Sequence, residues 1–191
     1  MIAIIDYDMG NLRSVENAIS RAGAEFTVTS DPSVITGAGK VLLPGVGNAA
    51  EAMAKLRERG LVDVIRSLRR PVLGICIGMQ VLCRYSEEGD TSCVGIFDTD
   101  VTKFQATADL KVPHMGWNAI SNLDSKLFRG IDGGSYVYFV HSYRPGLCTD
   151  TIATSNYGGL FSAALKYENF YGTQFHPEKS GVTGEKILRN F

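Results

Sequence analysis

The first half of the sequence alternates short apolar runs with segments of helical periodicity, and this order restricts the fold more than any other feature. Parallel strands need long crossover connections, and helices supply them. The pattern therefore predicts a parallel sheet with helices on both faces. The predicted elements, in chain order, are Ile2–Ile5, a helix that Asn11 caps and Gly23 ends, Phe26–Thr29, Lys40–Leu43, Ala49–Arg59, Leu61–Leu68, Val72–Ile75 and Ile77–Tyr85.

The second half of the chain carries strand-like runs without long helices between them. A turn at Glu168-Asn169 predicts that the last two strands form a hairpin. We therefore predict an α/β, flavodoxin-like fold with a mostly parallel central sheet, additional antiparallel strands in the C-terminal half, and one domain over residues 1–191. The elements predicted here are Tyr136–Val140, Ile152–Thr154, Ser162–Tyr167, Phe170–Phe175 and a final helix at Thr183–Asn190.

Composition excludes several classes of function. The formal net charge is -1, so the chain has no positive surplus for binding nucleic acid or an anionic membrane. The apolar runs are too short to cross a bilayer, and Met1–Ile5 lacks the basic start of a signal peptide. The 4 cysteines form no C-x-x-C pair, which favours reduced thiols and a cytoplasmic protein over disulfides or zinc.

One cysteine stands between two glycines where a strand should end and a helix begin. Gly74-Ile75-Cys76-Ile77-Gly78 has the spacing of a nucleophile elbow with sulfur in place of a hydroxyl. Such a turn lifts the side chain above the sheet, and a helix N-terminus favours the reactive thiolate. The N–H of Ile77 would then face a developing oxyanion. The alternative is a buried structural cysteine, which is how we interpret Cys83, Cys93 and Cys148.

A nucleophilic cysteine needs a base, and the base needs a group that orients it. His176 precedes a proline and so lies at a predicted strand end, with Glu178 two residues further on. Together with the elbow, this pattern predicts a Cys76–His176–Glu178 triad; an ordinary surface His–Glu pair is the alternative. His114 and His141 have no carboxylate at a comparable offset, and we assign them a structural or interface role.

Two further features lie near the predicted elbow. Pro44-Gly45-Val46-Gly47 follows the third strand, and its glycines allow the Val46 N–H to turn toward a reacting carbonyl. The alternative is an ordinary Pro-Gly turn. Gln80 lies one helical turn beyond Cys76 on the same face, so its amide can reach a bound ligand.

These stretches resemble a known family. Gly74–Gln80 (GICIGMQ), FHPEKS and PGVG are similar to the class I, triad-type glutamine amidotransferases. DYDMGNL at residues 6–12, HMGWN at 114–118 and YFVHSY at 138–143 resemble one branch, the glutaminase subunits of imidazole glycerol phosphate synthases. The similarity runs end to end and is loosest at residues 89–104. Asp8 stands where relatives often have glycine.

The resemblance implies a reaction and a partner. Cys76 attacks the side-chain amide of L-glutamine, His176 protonates the leaving ammonia, and water hydrolyses the thioester. The ammonia passes to a (β/α)₈-barrel cyclase in histidine biosynthesis, without a metal or an organic cofactor. The residues implied in binding glutamine are Gly47, Gln80, Glu88, Ser142 and Tyr143, those in the oxyanion hole are Gly45, Val46 and Ile77, and those at the partner contact are Asn11, Trp117, Tyr138 and Lys179.

Other hypotheses stay open at this point. The chain could serve another synthase, such as that of anthranilate or pyridoxal phosphate, although HMGWN and YFVHSY argue against this. It could be a self-sufficient cysteine hydrolase, but in those enzymes a histidine commonly follows the nucleophile, where this chain has Ile77. A non-catalytic binding module is a further alternative, and Trp117 could be a core residue.

Overall fold

Residues 1–108 and 110–191 are described by a computed structural model, in which strands and helices alternate as far as residue 80. Two 3₁₀ turns accompany the regular elements, at Lys126–Phe128 and Pro177–Lys179. The elements of this part of the chain are β1 (Ile2–Ile5), α1 (Leu12–Arg21), β2 (Phe26–Thr29), α2 (Pro32–Gly37), β3 (Lys40–Gly45), α3 (Ala49–Glu58), α4 (Leu61–Ser67), β4 (Val72–Cys76), α5 (Ile77–Gln80), β5 (Cys83–Ser86), β6 (Thr91–Ser92), β7 (Phe97–Lys103), β8 (His114–Ala119), β9 (Tyr136–His141), β10 (Tyr143–Pro145), β11 (Thr151–Asn156), β12 (Leu160–Tyr167), β13 (Phe170–Thr173) and α6 (Gly181–Asn190).

The central sheet of the described residues has seven strands in the order β11-β12-β13-β4-β3-β1-β2. The five strands from β13 to β2 run parallel, whereas β11 and β12 are antiparallel additions at one edge. Strands β1, β4 and β13 are buried along their whole length, as expected where both faces of a parallel sheet are covered. The predicted α/β, mostly parallel architecture is confirmed.

The register of the central strands brings three chain segments to one edge of the sheet. Gly45 at the end of β3 pairs with Cys76 at the end of β4, and Ile75 pairs with Thr173 at the end of β13. Open α/β sheets bind ligands beyond the carboxyl ends of their strands. The loop after β3, the turn after β4 and the segment after β13 therefore meet where a site is expected.

The helix predicted over Ile77–Tyr85 is wrong in its second half. The helix is a single turn, Ile77–Gln80, and Cys83–Ser86 is a strand. That strand pairs with β6 and β7 in a second sheet, ordered β10-β7-β5-β6. Cys83 and Ser86 are buried while Arg84 is exposed, so pairing and burial outweigh local helix propensity here.

Helix α2 and strand β8 were not predicted from the sequence, and neither were strands β6, β7 and β10. Helix α2 begins at Pro32 after Asp31, whose side chain accepts the Ser33 N–H at 2.7 Å, which is a standard N-cap followed by proline. Strand β8 pairs with β9 antiparallel, with Trp117 opposite Tyr138. This stretch was interpreted as a motif, and no strand was predicted for it.

Two local predictions are confirmed, and the turn at Asp8 is defined by the structure. The Asn11 side chain caps α1 by accepting the Ser14 N–H at 3.3 Å. Glu168 and Asn169 form the predicted two-residue turn between β12 and β13, with Glu168 at φ 49°. Asp8 adopts φ 63°, a conformation that aspartate tolerates better than most residues, and its N–H is bonded to Asp6 Oδ1 at 3.1 Å.

Candidate active site

Cys76 lies on a strained turn between β4 and α5. Its φ of 53° and ψ of -110° lie outside the regions that residues with a side chain normally occupy. The flanking glycines explain how the turn fits: a Cβ on Gly74 would lie 2.6 Å from Gly78 O, and one on Gly78 would lie 1.8 Å from Leu43 O. Because both positions are glycine, helix α5 can pack this closely against the strands, as a nucleophile elbow requires.

The sulfur of Cys76 has two polar neighbours of opposite kind. The carbonyl oxygen of Val140 lies 3.9 Å from Sγ, and the amide nitrogen of Gln174 lies 3.8 Å from it. The residue is 4% exposed, and that exposure is toward a cavity. Since α5 has only four residues, its support for a thiolate is limited to the amides of one turn.

His176 follows β13 and forms a pair with Glu178. Its Nδ1 lies 2.7 Å from Glu178 Oε1, and both side chains are 2% exposed. Burial lowers the pKa of His176, but the nearby charges of Cys76 and Glu178 outweigh it and raise the pKa to about 10. Nε2 is buried and has no regular hydrogen bond among the described residues, although His176 and Cys76 line the same cavity. Catalytic contacts of this kind often tighten only once substrate binds.

A cavity of about 290 Å³ opens over these groups. Cys76 and His176 line it, and Glu178 lies behind His176. The residues implied in substrate binding also line the cavity without exception, namely Gly47, Gln80, Glu88, Ser142 and Tyr143. The structure thus brings residues from four separate parts of the sequence to one site.

Gln80 and Glu88 line the cavity, and each already uses some of its polar atoms in hydrogen bonds within the protein. Gln80 Nε2 donates to Tyr143 O and to Gln174 Oε1, both at 2.9 Å, while Gln80 Oε1 has no partner among the described residues. That oxygen is a free acceptor. Glu88 Oε2 accepts the Ala49 N–H at 2.8 Å, and burial raises the pKa of this carboxyl group.

The loop predicted to form the oxyanion hole is anchored at one end and exposed at the other. Tyr7 donates its hydroxyl proton to Pro44 O at 2.8 Å, and burial, aided by the charge at Cys76, raises the pKa of Tyr7 and keeps this donor neutral. Val46 and Ile77 line the cavity, whereas Gly45 lies beside Cys76 in the sheet and does not. Gly47 has φ 94°, a value that favours glycine.

Other residues at the cavity were not assigned to it from the sequence. Pro113, Val140 and His141 line its wall. Gln174 contacts the sulfur from beneath. A signal for Gln174 was available, because it precedes His176 by two residues and alternate residues of an extended chain share a side. His141 was predicted to have a structural or interface role, yet it lines the cavity beside Ser142 and Tyr143, which were implied in substrate binding.

The residues implied at a partner contact lie outside the cavity. Trp117 is 55% exposed, which excludes a core role, and its ring lies 6.1 Å from that of Tyr138. Lys179 is exposed beside the triad segment, and Asn11 is exposed while capping α1.

Residues 1–108 and 110–191 contain no group of three or more His, Cys, Asp or Glu side chains placed to hold a metal ion. None of their helices has the length and apolar character needed to span a membrane.

A cysteine on a strained strand–helix turn, beside a histidine bonded to a carboxylate, is the arrangement of enzymes that work through a covalent acyl intermediate. A sequence profile described as glutamine amidotransferase class-I matches residues 3–191. The chain belongs to the class-I glutamine amidotransferase family.

The chain is similar over its whole length to proteins of one branch of this family. The chain is 54% identical over 191 residues to "Imidazole glycerol phosphate synthase subunit HisH" of Bacteroides fragilis (strain ATCC 25285), covering 100% of this chain and 97% of that protein. It is 50% identical over 192 residues to the protein of the same name from Escherichia coli (strain K12), with the same coverage.

Solved structures are similar in fold. A glutamine amidotransferase structure superposes with a TM-score of 0.75 at 18% identity, covering 99% of this chain and 96% of the other. One from Thermotoga maritima gives a TM-score of 0.65 at 21% identity, covering 95% and 77%. At these identities the likeness supports the fold alone.

Proposed function

We propose that this chain is the glutaminase subunit of an imidazole glycerol phosphate synthase, acting as one domain over residues 1–191. The observation that carries the proposal is the convergence of Cys76, His176 and Glu178 beneath one cavity in a chain that is 54% identical to a HisH subunit. The enzyme hydrolyses L-glutamine to glutamate and ammonia. Its four cysteines are free thiols, which supports a cytoplasmic location.

The first half of the reaction forms a thioester. The Cys76 thiolate attacks the side-chain carbonyl carbon of glutamine, and the carbonyl oxygen becomes an oxyanion. The raised pKa of His176 favours an imidazolium, which donates its Nε2 proton to the departing nitrogen, so that the C–N bond breaks and ammonia leaves. Glu178, bonded to Nδ1 at 2.7 Å, holds the ring in orientation and balances its charge.

The second half restores the cysteine. Water attacks the thioester carbonyl while the now neutral His176 takes up its proton. The C–S bond then breaks, which releases glutamate and the thiolate. Ile77 and Val46 both line the cavity beside Cys76, and their backbone N–H groups are the donors that we propose for the oxyanion in each step.

Some polar atoms of the cavity are already bonded within the protein, and those that remain favour one orientation of glutamine. Gln80 has only its Oε1 left to offer, and an acceptor suits the α-ammonium group of the substrate. The Glu88 carboxyl group is a second acceptor in the cavity, and it is acidic. Gly47, Ser142 and Tyr143 complete the proposed site along its walls.

We propose a (β/α)₈-barrel cyclase as the partner that receives the ammonia. There the ammonia joins a ribulosyl-phosphate intermediate, and the products are imidazole glycerol phosphate and an aminoimidazole carboxamide ribotide. The exposed Trp117, the neighbouring Tyr138 and the exposed Lys179 support a docking face, because aromatic residues anchor interfaces. Asn11 would border the same contact.

Glutamate release, measured with and without the purified cyclase and its ligand, tests the proposal. We expect little turnover of the chain alone and strong stimulation in the complex. The exposed Val46–Gly47 segment can reorient, and binding of the partner would shift it toward the active orientation. Cys76→Ala should abolish glutamine use while ammonia-driven cyclisation persists. Cys148→Ala, which removes a half-buried thiol outside the cavity, is the matched control and should leave both reactions unchanged.

The other outcomes identify the alternatives. High turnover that the cyclase does not change would indicate a self-sufficient hydrolase. Co-purification with a different synthase would indicate another branch of the family. Alkylation of Cys76 no faster than that of the other three cysteines would indicate a non-catalytic module.

A further inference from the structure

Gln174 is a fully buried polar residue to which the reaction just described assigns no role. It is 0% exposed and its backbone N–H donates to Ala163 O at 2.8 Å, which fixes the residue between β12 and His176. A buried amide must have each of its polar atoms satisfied, or folding is penalised. The hydrogen-bond partners of the Gln174 amide therefore indicate the function of this side chain.

The orientation of the Gln174 amide is set by a carbonyl two hydrogen bonds away. Tyr143 O can only accept, and it takes His141 Nδ1 at 2.8 Å and Gln80 Nε2 at 2.9 Å. Gln80 must therefore turn its NH₂ group inward, and the second hydrogen of that group meets Gln174 Oε1 at 2.9 Å. With its oxygen so engaged, Gln174 presents its own NH₂ group to Cys76 Sγ at 3.8 Å.

The two polar contacts of the sulfur favour different protonation states. Val140 O, at 3.9 Å, can accept a proton from the neutral thiol but repels a thiolate. The Gln174 N–H can only donate and so favours the thiolate, which is the form that attacks. A hydrogen bond to a charged group is stronger than one between neutral groups.

We propose that Gln174 is a catalytic residue that donates a hydrogen bond to the Cys76 thiolate, with Tyr143 O and Gln80 fixing the direction of that bond. The proposal rests on the proposed function, since it requires Cys76 to be the nucleophile. In this proposal the sulfur of Cys76 has a hydrogen-bond donor, the Gln174 amide, in addition to His176.

The test is the rate at which iodoacetamide alkylates Cys76 in the full chain, followed by mass spectrometry of each cysteine peptide as a function of pH. This measurement needs neither glutamine turnover nor the cyclase. Gln174→Met keeps the length of the side chain and removes the donor. We expect alkylation at pH 7 to slow by about tenfold and kcat of the complex to fall by about tenfold to a hundredfold, with a smaller change in KM.

A matched control is available on the adjacent residue. Thr173 is also 0% exposed, and its Oγ1 has no partner among the described residues. Thr173→Val therefore removes a buried polar atom from the same segment without touching the sulfur, and it should leave the alkylation profile unchanged. A general effect of altering buried polarity would slow both variants alike and would overturn the proposal.

Gln174→Glu decides the question if the methionine variant does not fold. Its carboxyl group can donate to the sulfur only while protonated, so we expect activity relative to wild type to be partly regained at acidic pH and lost as the pH rises. Unchanged alkylation in Gln174→Met, or no pH-dependent recovery in Gln174→Glu, contradicts the proposal. If wild-type Cys76 reacts no faster than Cys83, Cys93 and Cys148, the proposed function itself fails and this inference falls with it.

Discussion

The two sides of the cavity are built in opposite ways. On one side Cys76 is held at φ 53° by glycines with no room for a Cβ. On the other side, Val46 and Gly47 are exposed, and a Cβ on Gly47 would meet only the end of the Met9 side chain, at 3.1 Å. One side is fixed by backbone contacts, and the other is restrained mainly by its own dihedral angles.

This difference assigns separate tasks to the two sides. A strained nucleophile keeps its position only where the surrounding structure over-determines it, and close-packed interiors have few alternative arrangements. An oxyanion donor that responds to a partner must instead lie in a loosely packed segment that can reorient at a low cost in free energy. We therefore expect substitutions on the crowded side to affect folding and those on the open side to affect regulation.

Gly78→Ala should give the largest effect. Its Cβ would lie 1.8 Å from Leu43 O, which is backbone and can yield only if β3 and α5 separate. We expect a loss of about 3 kcal/mol or more in the free energy of unfolding, at the upper end for overpacking, together with loss of glutaminase activity. Urea unfolding followed by circular dichroism measures the first.

Gly133→Ala is the control for that substitution. A Cβ at Gly133 meets nothing within 4 Å among the described residues, and its φ does not lie in the left-handed region. It should change stability by less than about 0.5 kcal/mol. Equal effects of the two substitutions would contradict the idea that the elbow is fixed by packing.

An intermediate effect is expected from the buried pair His114–His141, of which His141 lines the cavity. His141 Nδ1 donates to Tyr143 O, so its Nε2 must accept from His114 Nδ1 at 2.9 Å. His114 Nε2 in turn accepts from Asn118 Nδ2 at 3.3 Å, so both rings are neutral, and burial lowers the pKa of His114 to about 4 and that of His141 to about 3. The unfolded chain takes up these protons first, so stability is fully present above about pH 6.5 and declines as the pH falls from there toward 3.

His114→Phe tests this linkage. The new ring can stack between Phe139 and Tyr157, as the imidazole does now at centroid distances of 4.8 and 4.0 Å. We expect a loss of about 2 kcal/mol at pH 7.5, because His141 Nε2 loses its donor. The further loss between pH 6.5 and 4.5 should be smaller than in wild type. Urea unfolding across this range measures both, and an unchanged acid slope would exclude His114 as a titrating group.

The same contrast explains what the sequence could predict. The elbow, the His176–Glu178 pair and the parallel strands are local patterns, so spacing and periodicity were sufficient for them. Residues after Gln80 were predicted as helix because their strand pairing with β7 depends on a segment more than ten residues away. The offset of Gln174 from His176 was a usable local signal, but the hydrogen bonds that orient its amide run through Gln80 to Tyr143 and join residues far apart in the sequence.

Among the substitutions at the cavity, Gly47→Ala should have the smallest effect on stability, and it thereby tests the open side. Alanine at φ 94° is strained by about 1–2 kcal/mol, while the Met9 side chain can move aside. Gly95→Ala is the matched control, since Gly95 has φ 78° with open space around it and does not line the cavity. Both variants should therefore lose similar stability. Only Gly47→Ala should also change the factor by which the cyclase stimulates glutaminase activity, because it shifts the conformations available beside Val46. If both variants are stimulated like wild type, regulation does not pass through this loop, and the open side of the cavity is only a substrate entrance.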